Sequence, residues 1–340
     1  MHCVTVHGGE IKSRKGVNVP YTMLPIPALT DKDRVDAEWA VRHGLDYLAL
    51  SFVRQPSNLD EMISLTRGRS GGPGAIVKIE KAEALRHLCE LIAAADGVMV
   101  ARGDLGVEMD LWRVPIVQKE ITARCREAGK PVIIATQMLQ SMVSNPSPTR
   151  AEVSDVANAI LDANDAVMLS GESAAGRFPV ASVEMMGLVA EAAEAHLRSQ
   201  PPPDDPFLLH VHDRRASAVA LAAVRAARFL AARLVVVWTT SGEPVRLVAG
   251  HRLRVPVVGL ARDDRVLRRM KLLFGVVPMR ADPIDHPGLL SDAIEAALVR
   301  DGLARPGDMI VVVASTHPTE PGETDTVVVH RISQHAGAGR

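Results

Sequence analysis

The chain predicts a parallel α/β protein: a (β/α)8-type barrel region followed by a smaller α/β domain. Three features carry this. Apolar runs ending in a polar residue recur: Tyr47–Leu50 before Ser51, Ala75–Ile79 before Glu80, Gly97–Ala101 running on to Asp104, Pro131–Ala135 before Thr136, and Ala166–Leu169 before Ser170. These ends are about 24 to 34 residues apart, the length of one βα unit. Polar residues gather at the C-terminal ends of the runs, where a parallel barrel carries its site. A doubly wound open sheet competes with the barrel, but the chain shows no GxGxxG fingerprint for it.

Taken in order, the elements have local start and stop signals. Asp31 is the expected N-cap of a helix over "KDRVDAEWAVRHG", with Gly44 as its stop. "GRSGGPG" (68–74) lacks the GK[ST] ending of a phosphate loop and reads as a turn before a strand. Thr149-Arg-Ala-Glu152, after Pro148, is a capping box. "RSQPPPDDPF" (198–207) cannot continue a helix and separates two regions. Beyond it, 216–233 reads as an amphipathic helix, and 234–238, 255–260 and 308–315 read as strands.

Bulk properties narrow the function. The 340 residues suit two domains, and 47% hydrophobic content supports a large core. A net charge of −1 and 3% aromatic residues give no case for a nucleic-acid or membrane partner. Cys3, Cys89 and Cys125 are far apart, which argues against a disulfide framework or zinc site and fits a reducing cytosol. No run has signal-peptide or transmembrane character, so a cytoplasmic protein is expected.

The chemistry centres on "AIVKIEK" (75–81). Residues i and i+2 of a strand share a face, so Lys78 and Glu80 both point into the barrel near its mouth. A buried structural ion pair is the bland alternative. More polar groups converge there. "GVMVARGDLGVEMD" (97–110) brings Asp104 as a second hard oxygen ligand beside Glu80, the usual way of holding Mg²⁺ or Mn²⁺. Gly103 lets the backbone approach a ligand closely. "PVIIATQM" places Thr136 at the same level. A lysine, two carboxylates and a threonine around a metal suit chemistry at an enolate or a transferring phosphoryl group.

The motifs "SRKGVNVP" (13–20), "LDYLALSFVR" (45–54), "IVKIEK" (76–81), "ADGVMVARGDLGVE" (95–108), "AGKPVIIATQMLQSMV" (128–143) and "NPSPTRAEVSDVANAILDANDAVMLSGESAAGRFP" (145–179) resemble those of the pyruvate kinase family, in order. The resemblance implies transfer of phosphate from phosphoenolpyruvate to ADP, giving pyruvate and ATP. It implies that Lys78 stabilises the phosphoryl group and the enolate, and that Glu80 and Asp104 bind the divalent metal. Gly103 and Asp104 would contact the substrate carboxylate, Thr136 the enolate face, and Lys15 the nucleotide phosphates. It implies a lid remnant at 1–20, barrel strands four to eight within 21–200, a linker at 201–206 and a regulatory-type domain at 207–340. The family's potassium ligands have no matching positions here, and its members form tetramers.

An arc of five strands leaves two edges and an unfilled interior, so this chain alone is expected to be poorly active, or to need a chain supplying the rest. The loop Thr239-Thr240-Ser241-Gly242-Glu243-Pro244 departs from the family's sugar-bisphosphate loop, so no fructose bisphosphate is expected there; "STHPTEPGETD" (315–325) departs as well. Two other readings stand beside the kinase. One is a metal-dependent aldolase or lyase acting on pyruvate, and the other a non-catalytic regulatory or split subunit.

Overall fold

Five parallel strands in consecutive order form the first sheet: β1 (Tyr47–Leu50), β2 (Gly74–Ile79), β3 (Gly97–Ala101), β4 (Val132–Ala135) and β5 (Ala166–Met168). The computed structural model describes residues 4–10, 13, 16–19, 22, 27–67, 72–200, 214–282, 290–315 and 324–334. Each strand pairs with its sequence neighbour, Leu50 beside Val77, Ile79 beside Val100, Ala101 beside Ala135 and Ala135 beside Met168. Consecutive order is the winding of a barrel; a doubly wound sheet reverses direction at a switch point.

The three inner strands, β2, β3 and β4, are buried on both faces, and the edge strands β1 and β5 are half-buried. On the helix side, Ala75, Val77, Ile79, Val98, Val100, Val132 and Ile134 join a large core with Leu91, Leu105, Ile121 and Val156 from the intervening helices. On the concave side, Ile76, Met99, Ile133 and Ala135 form a small separate cluster. Lys78 continues that concave row toward the C-terminal ends.

Helix Asp31–Arg42 starts one residue earlier than the sequence implies. Its N-cap is Thr30, whose hydroxyl accepts the Asp33 amide while the Asp33 carboxylate accepts the Thr30 amide. Asp31 is instead a first-turn residue, favourable there by its charge. The expected box at Thr149 and Glu152 caps helix Arg150–Leu161.

A second sheet has the order β10-β9-β6-β7-β8, built from β6 (Val235–Trp238), β7 (Val257–Ala261), β8 (Val276–Arg280), β9 (Met309–Ala314) and β10 (Thr326–Arg331). β10 is antiparallel to β9 and the other pairs are parallel. The linker at 201–206 lies outside the described residues.

The second unit docks at the N-terminal ends of the first sheet's strands. Arg268 pairs with Asp46 before β1, Arg269 donates to the Asp46 and Gly72 carbonyls, and Arg252 pairs with Asp165 before β5. Leu272 packs against the concave cluster from below. Beside it sits Tyr47, whose phenol is pushed up to about 12 by burial. The opposite, C-terminal ends of the strands stay clear of this contact. No helix among the described residues is long and apolar enough to cross a membrane.

Candidate active site

The parallel register assembles the site at the C-terminal ends of β1 to β4. Leu50 pairs with Val77, so Ser51 comes level with Lys78. The Lys78 ammonium donates to Ser51 Oγ at 2.8 Å and lies 2.5 Å from Glu80 Oε1. Glu80 is 1% exposed and Lys78 23%. The other Glu80 oxygen accepts the Phe52 amide at 2.7 Å. Phe52 has φ of +55°, a left-handed turn that aims its N–H back at this carboxylate. The charges that the sequence places inside a core strand are therefore held by each other, a hydroxyl and a backbone amide. Glu80 Oε1 has its ion pair but no hydrogen bond of good geometry, so it retains acceptor capacity.

β3 runs directly into helix Arg102–Glu108, which puts Gly103 and Asp104 in its first turn. Asp104 is half-buried and makes no hydrogen bond or ion pair among the described residues. Two carboxylates, one buried and partly satisfied and one free, suit a hard cation that keeps waters and substrate oxygens. Among the described residues no group of three or more His, Cys, Asp or Glu is placed to hold a metal. Glu80 and Asp104 are the two carboxylates here that could serve a hard cation such as Mg²⁺ or Mn²⁺.

Ala101 pairs with Ala135, so Arg102 and Gly103 lie beside Thr136. Gly103 N–H donates to Thr136 Oγ1 at 2.8 Å. A Cβ at Gly103 would sit 3.4 Å from that oxygen, in van der Waals contact with it. Thr136 and Gln137 both have positive φ, +69° and +57°. This is uncommon for a non-glycine residue and a real outlier for a β-branched one.

Four further residues of the site have contacts that only the fold reveals. Ser51 ends the first apolar run, and its bond to Lys78 appears once the strands are paired. Arg102 is 8% exposed and bonds Asp155 and the Thr136 carbonyl. Glu172 is 1% exposed and accepts the Leu139 and Ser170 amides, joining the loops after β4 and β5. Glu108 pairs with Lys81 at 2.5 Å, fixing the far end of the helix that carries Asp104. Lys15 lies outside the described residues. A cavity of about 720 Å³ opens beside β1, lined by Leu48, Ser51, Phe52, Arg54 and Lys81. It adjoins the lysine–carboxylate group without enclosing it.

Comparison with known proteins agrees with this arrangement over both units. The family pattern for the pyruvate kinase barrel domain matches residues 1–183, and that for the pyruvate kinase alpha/beta domain matches 217–330. A pyruvate kinase of Geobacillus stearothermophilus is 39% identical over 339 residues, covering 98% of this chain and 57% of its own length. One of Methylorubrum extorquens is 42% identical over 340 residues, covering 97% and 68%, and one of Mycobacterium intracellulare 38% over 333 residues, covering 98% and 69%. The chain thus spans between about half and seven-tenths of these relatives. Two successive family patterns, and identity near two-fifths along nearly its whole length, place the chain in the pyruvate kinase family.

Proposed function

We propose that this chain carries the metal- and phosphoryl-handling face of a pyruvate kinase, acting on phosphoenolpyruvate and ADP to give pyruvate and ATP. The observation that carries the reading is the group Lys78, Glu80 and Ser51, fixed at the mouth of the sheet beside the unpaired Asp104. Glu80 and Asp104 would hold the divalent cation, which when bound supplies positive charge to phosphoryl and carboxylate oxygens. Lys78 presents its ammonium where negative charge grows as the phosphoryl group leaves the enolate oxygen. Held by Ser51 and Glu80, that ammonium needs little rearrangement to act. Thr136 presents a hydroxyl beside the enolate, and Gly103 brings the backbone and Asp104 close to the substrate carboxylate. Lys15 is the proposed contact to the nucleotide phosphates.

The five strands are read as strands four to eight of an eight-stranded barrel. β1 and β5 are the edges of this sheet. Joining them requires three further parallel strands, in the same polypeptide or from another. Potassium, as used in the family, would be held by groups outside the positions matched here. A regulatory-type role is assigned to residues 207–340, and the protein is placed in the cytoplasm. Self-association into the family's tetramer is supported by the exposed apolar side chains of Leu111, Trp112 and Ile116. The match over 217–330 favours the kinase over a lyase that shares only the barrel.

The test is pyruvate formation from phosphoenolpyruvate and ADP, coupled to lactate dehydrogenase, with Mg²⁺ and K⁺. The chain is assayed alone and mixed with a polypeptide carrying the three remaining strands. Turnover that is lost in Lys78→Met supports the reading. No turnover in either arm overturns it.

A further inference from the structure

An arginine at the first turn of a helix, beside a site for an anionic substrate, invites assignment as an anion hook. The geometry excludes that for Arg102. Its Nη1 lies 2.6 Å from Asp155 Oδ2 and 2.7 Å from Oδ1. Its Nη2 donates to the Thr136 carbonyl at 2.7 Å and contacts Met138 Sδ at 2.8 Å. Its Nε is sealed from solvent and has no partner among the described residues. The guanidinium is thus committed to α-helix Arg150–Leu161, which carries Asp155, and to the turn after β4.

That turn is the strained element of the site. Thr136 and Gln137 are both left-handed, and a β-branched residue does not hold this conformation without surrounding structure that enforces it. Arg102 grips the Thr136 carbonyl on one side, and Gly103 N–H bonds its hydroxyl oxygen on the other. The second bond has a chemical consequence. With Oγ1 accepting the Gly103 amide, the hydroxyl proton cannot point back along that bond and must turn toward another acceptor.

We propose that Arg102 and Asp155 form a clamp that holds the Thr136–Gln137 turn in its left-handed form and so sets Thr136 as a hydrogen-bond donor into the mouth. Arg102 is a positioning residue and binds no substrate. Asp155, one-third exposed on its helix, neutralises the buried guanidinium and fixes its plane. The acceptor of the Thr136 proton rests on the reading above, where it is the substrate's enolate side; the clamp itself does not.

The experiment uses the full chain, assembled as in the turnover assay, with Arg102→Lys and Asp155→Asn. A lysine cannot bridge two partners in one plane, and Asp155 is exposed enough that its asparagine variant keeps the fold. Amide exchange of Gly103 is followed, with the amides of β7 as an internal reference, alongside steady-state kinetics. The clamp predicts that Gly103 exchange rises about tenfold or more in both variants while β7 is unchanged, since a charge-assisted bond is lost locally. It predicts that kcat falls about tenfold with KM for phosphoenolpyruvate held within about threefold. Unchanged Gly103 exchange in Asp155→Asn would overturn the clamp. So would a raised KM with unchanged kcat in Arg102→Lys, the signature of a substrate-binding arginine. Absence of turnover in the unsubstituted assembly would overturn the proposed function, leaving the clamp to be decided by exchange.

Discussion

Asp165 and Arg252 meet in a two-pronged ion pair across the boundary between the two sheets, with Nη2 2.7 Å from Oδ2 and Nη1 3.0 Å from Oδ1. Both are nearly buried, 6% and 10% exposed. The same carboxylate accepts the amides of Val132, at the start of β4, and Phe274, in the second unit. Asp165→Ala therefore strands a buried guanidinium and two amides. The expected loss is about 3 to 5 kcal/mol in urea denaturation. Two separated transitions are expected in the variant and one in the unsubstituted chain; a loss under about 1 kcal/mol would place this contact among ordinary surface pairs.

Glu80 pairs with Lys78 and is a proposed ligand of the cation. Glu80→Gln removes the buried charge, so Mn²⁺ affinity should fall by about tenfold or more. Lys78→Met removes a competing cation, so Mn²⁺ should bind as well or better while turnover is lost. Electron paramagnetic resonance of free Mn²⁺ separates the two. Equal losses of metal in both variants would mean that Lys78 supports the carboxylate's position and does not compete for it.

The Glu152 carboxyl is held below its usual value. Burial works to raise it, and hydrogen bonds from the Ser141 hydroxyl and amide and the Thr149 amide outweigh that. A depressed folded-state value stabilises the protein above the unfolded value and loses that stabilisation as pH falls through the folded one. Glu152→Gln should cost about 1 kcal/mol at neutral pH, and the gap between variant and parent should close on acidification. Denaturation at neutral and acid pH checks this; a gap that widens in acid reverses the sign.

In the loop Thr239–Pro244, Thr239 Oγ1 already accepts the Ser241 and Gly242 amides, and the Ser241 hydroxyl accepts the Glu243 amide. Glu243 pairs with Arg246, and Pro244 lies in the helix's first turn and has no amide to give. Calorimetric titration with fructose bisphosphate is expected to show no binding here. Heat that disappears in a variant of this loop would refute it.

Much of this was legible before any coordinates. The apolar runs gave all five strands of the first sheet to within a residue or two, and the inner three, buried on both faces, read as continuous hydrophobic stretches. Lys78 and Glu80 stood out as charges in such a stretch. β8 did not show: it holds Pro278 and is only half-buried along its length, so neither composition nor alternation marked it. β10 is an edge strand and is equally half-buried. The pairings of Ser51, Arg102, Asp155 and Glu172 were hidden for another reason. Their contacts depend on which strand end lies beside which, and on turns with positive φ at non-glycine residues, and single-chain patterns encode neither. The cap is Thr30 and not Asp31; both residue types cap well, and only geometry chooses between neighbours.

β4 has four residues, so it is a rod about 13 Å long. Its lower end is tied through the Val132 amide to Asp165 and so to the second unit, and its upper end delivers Thr136. Four residues thus separate the contact between the two units from Thr136.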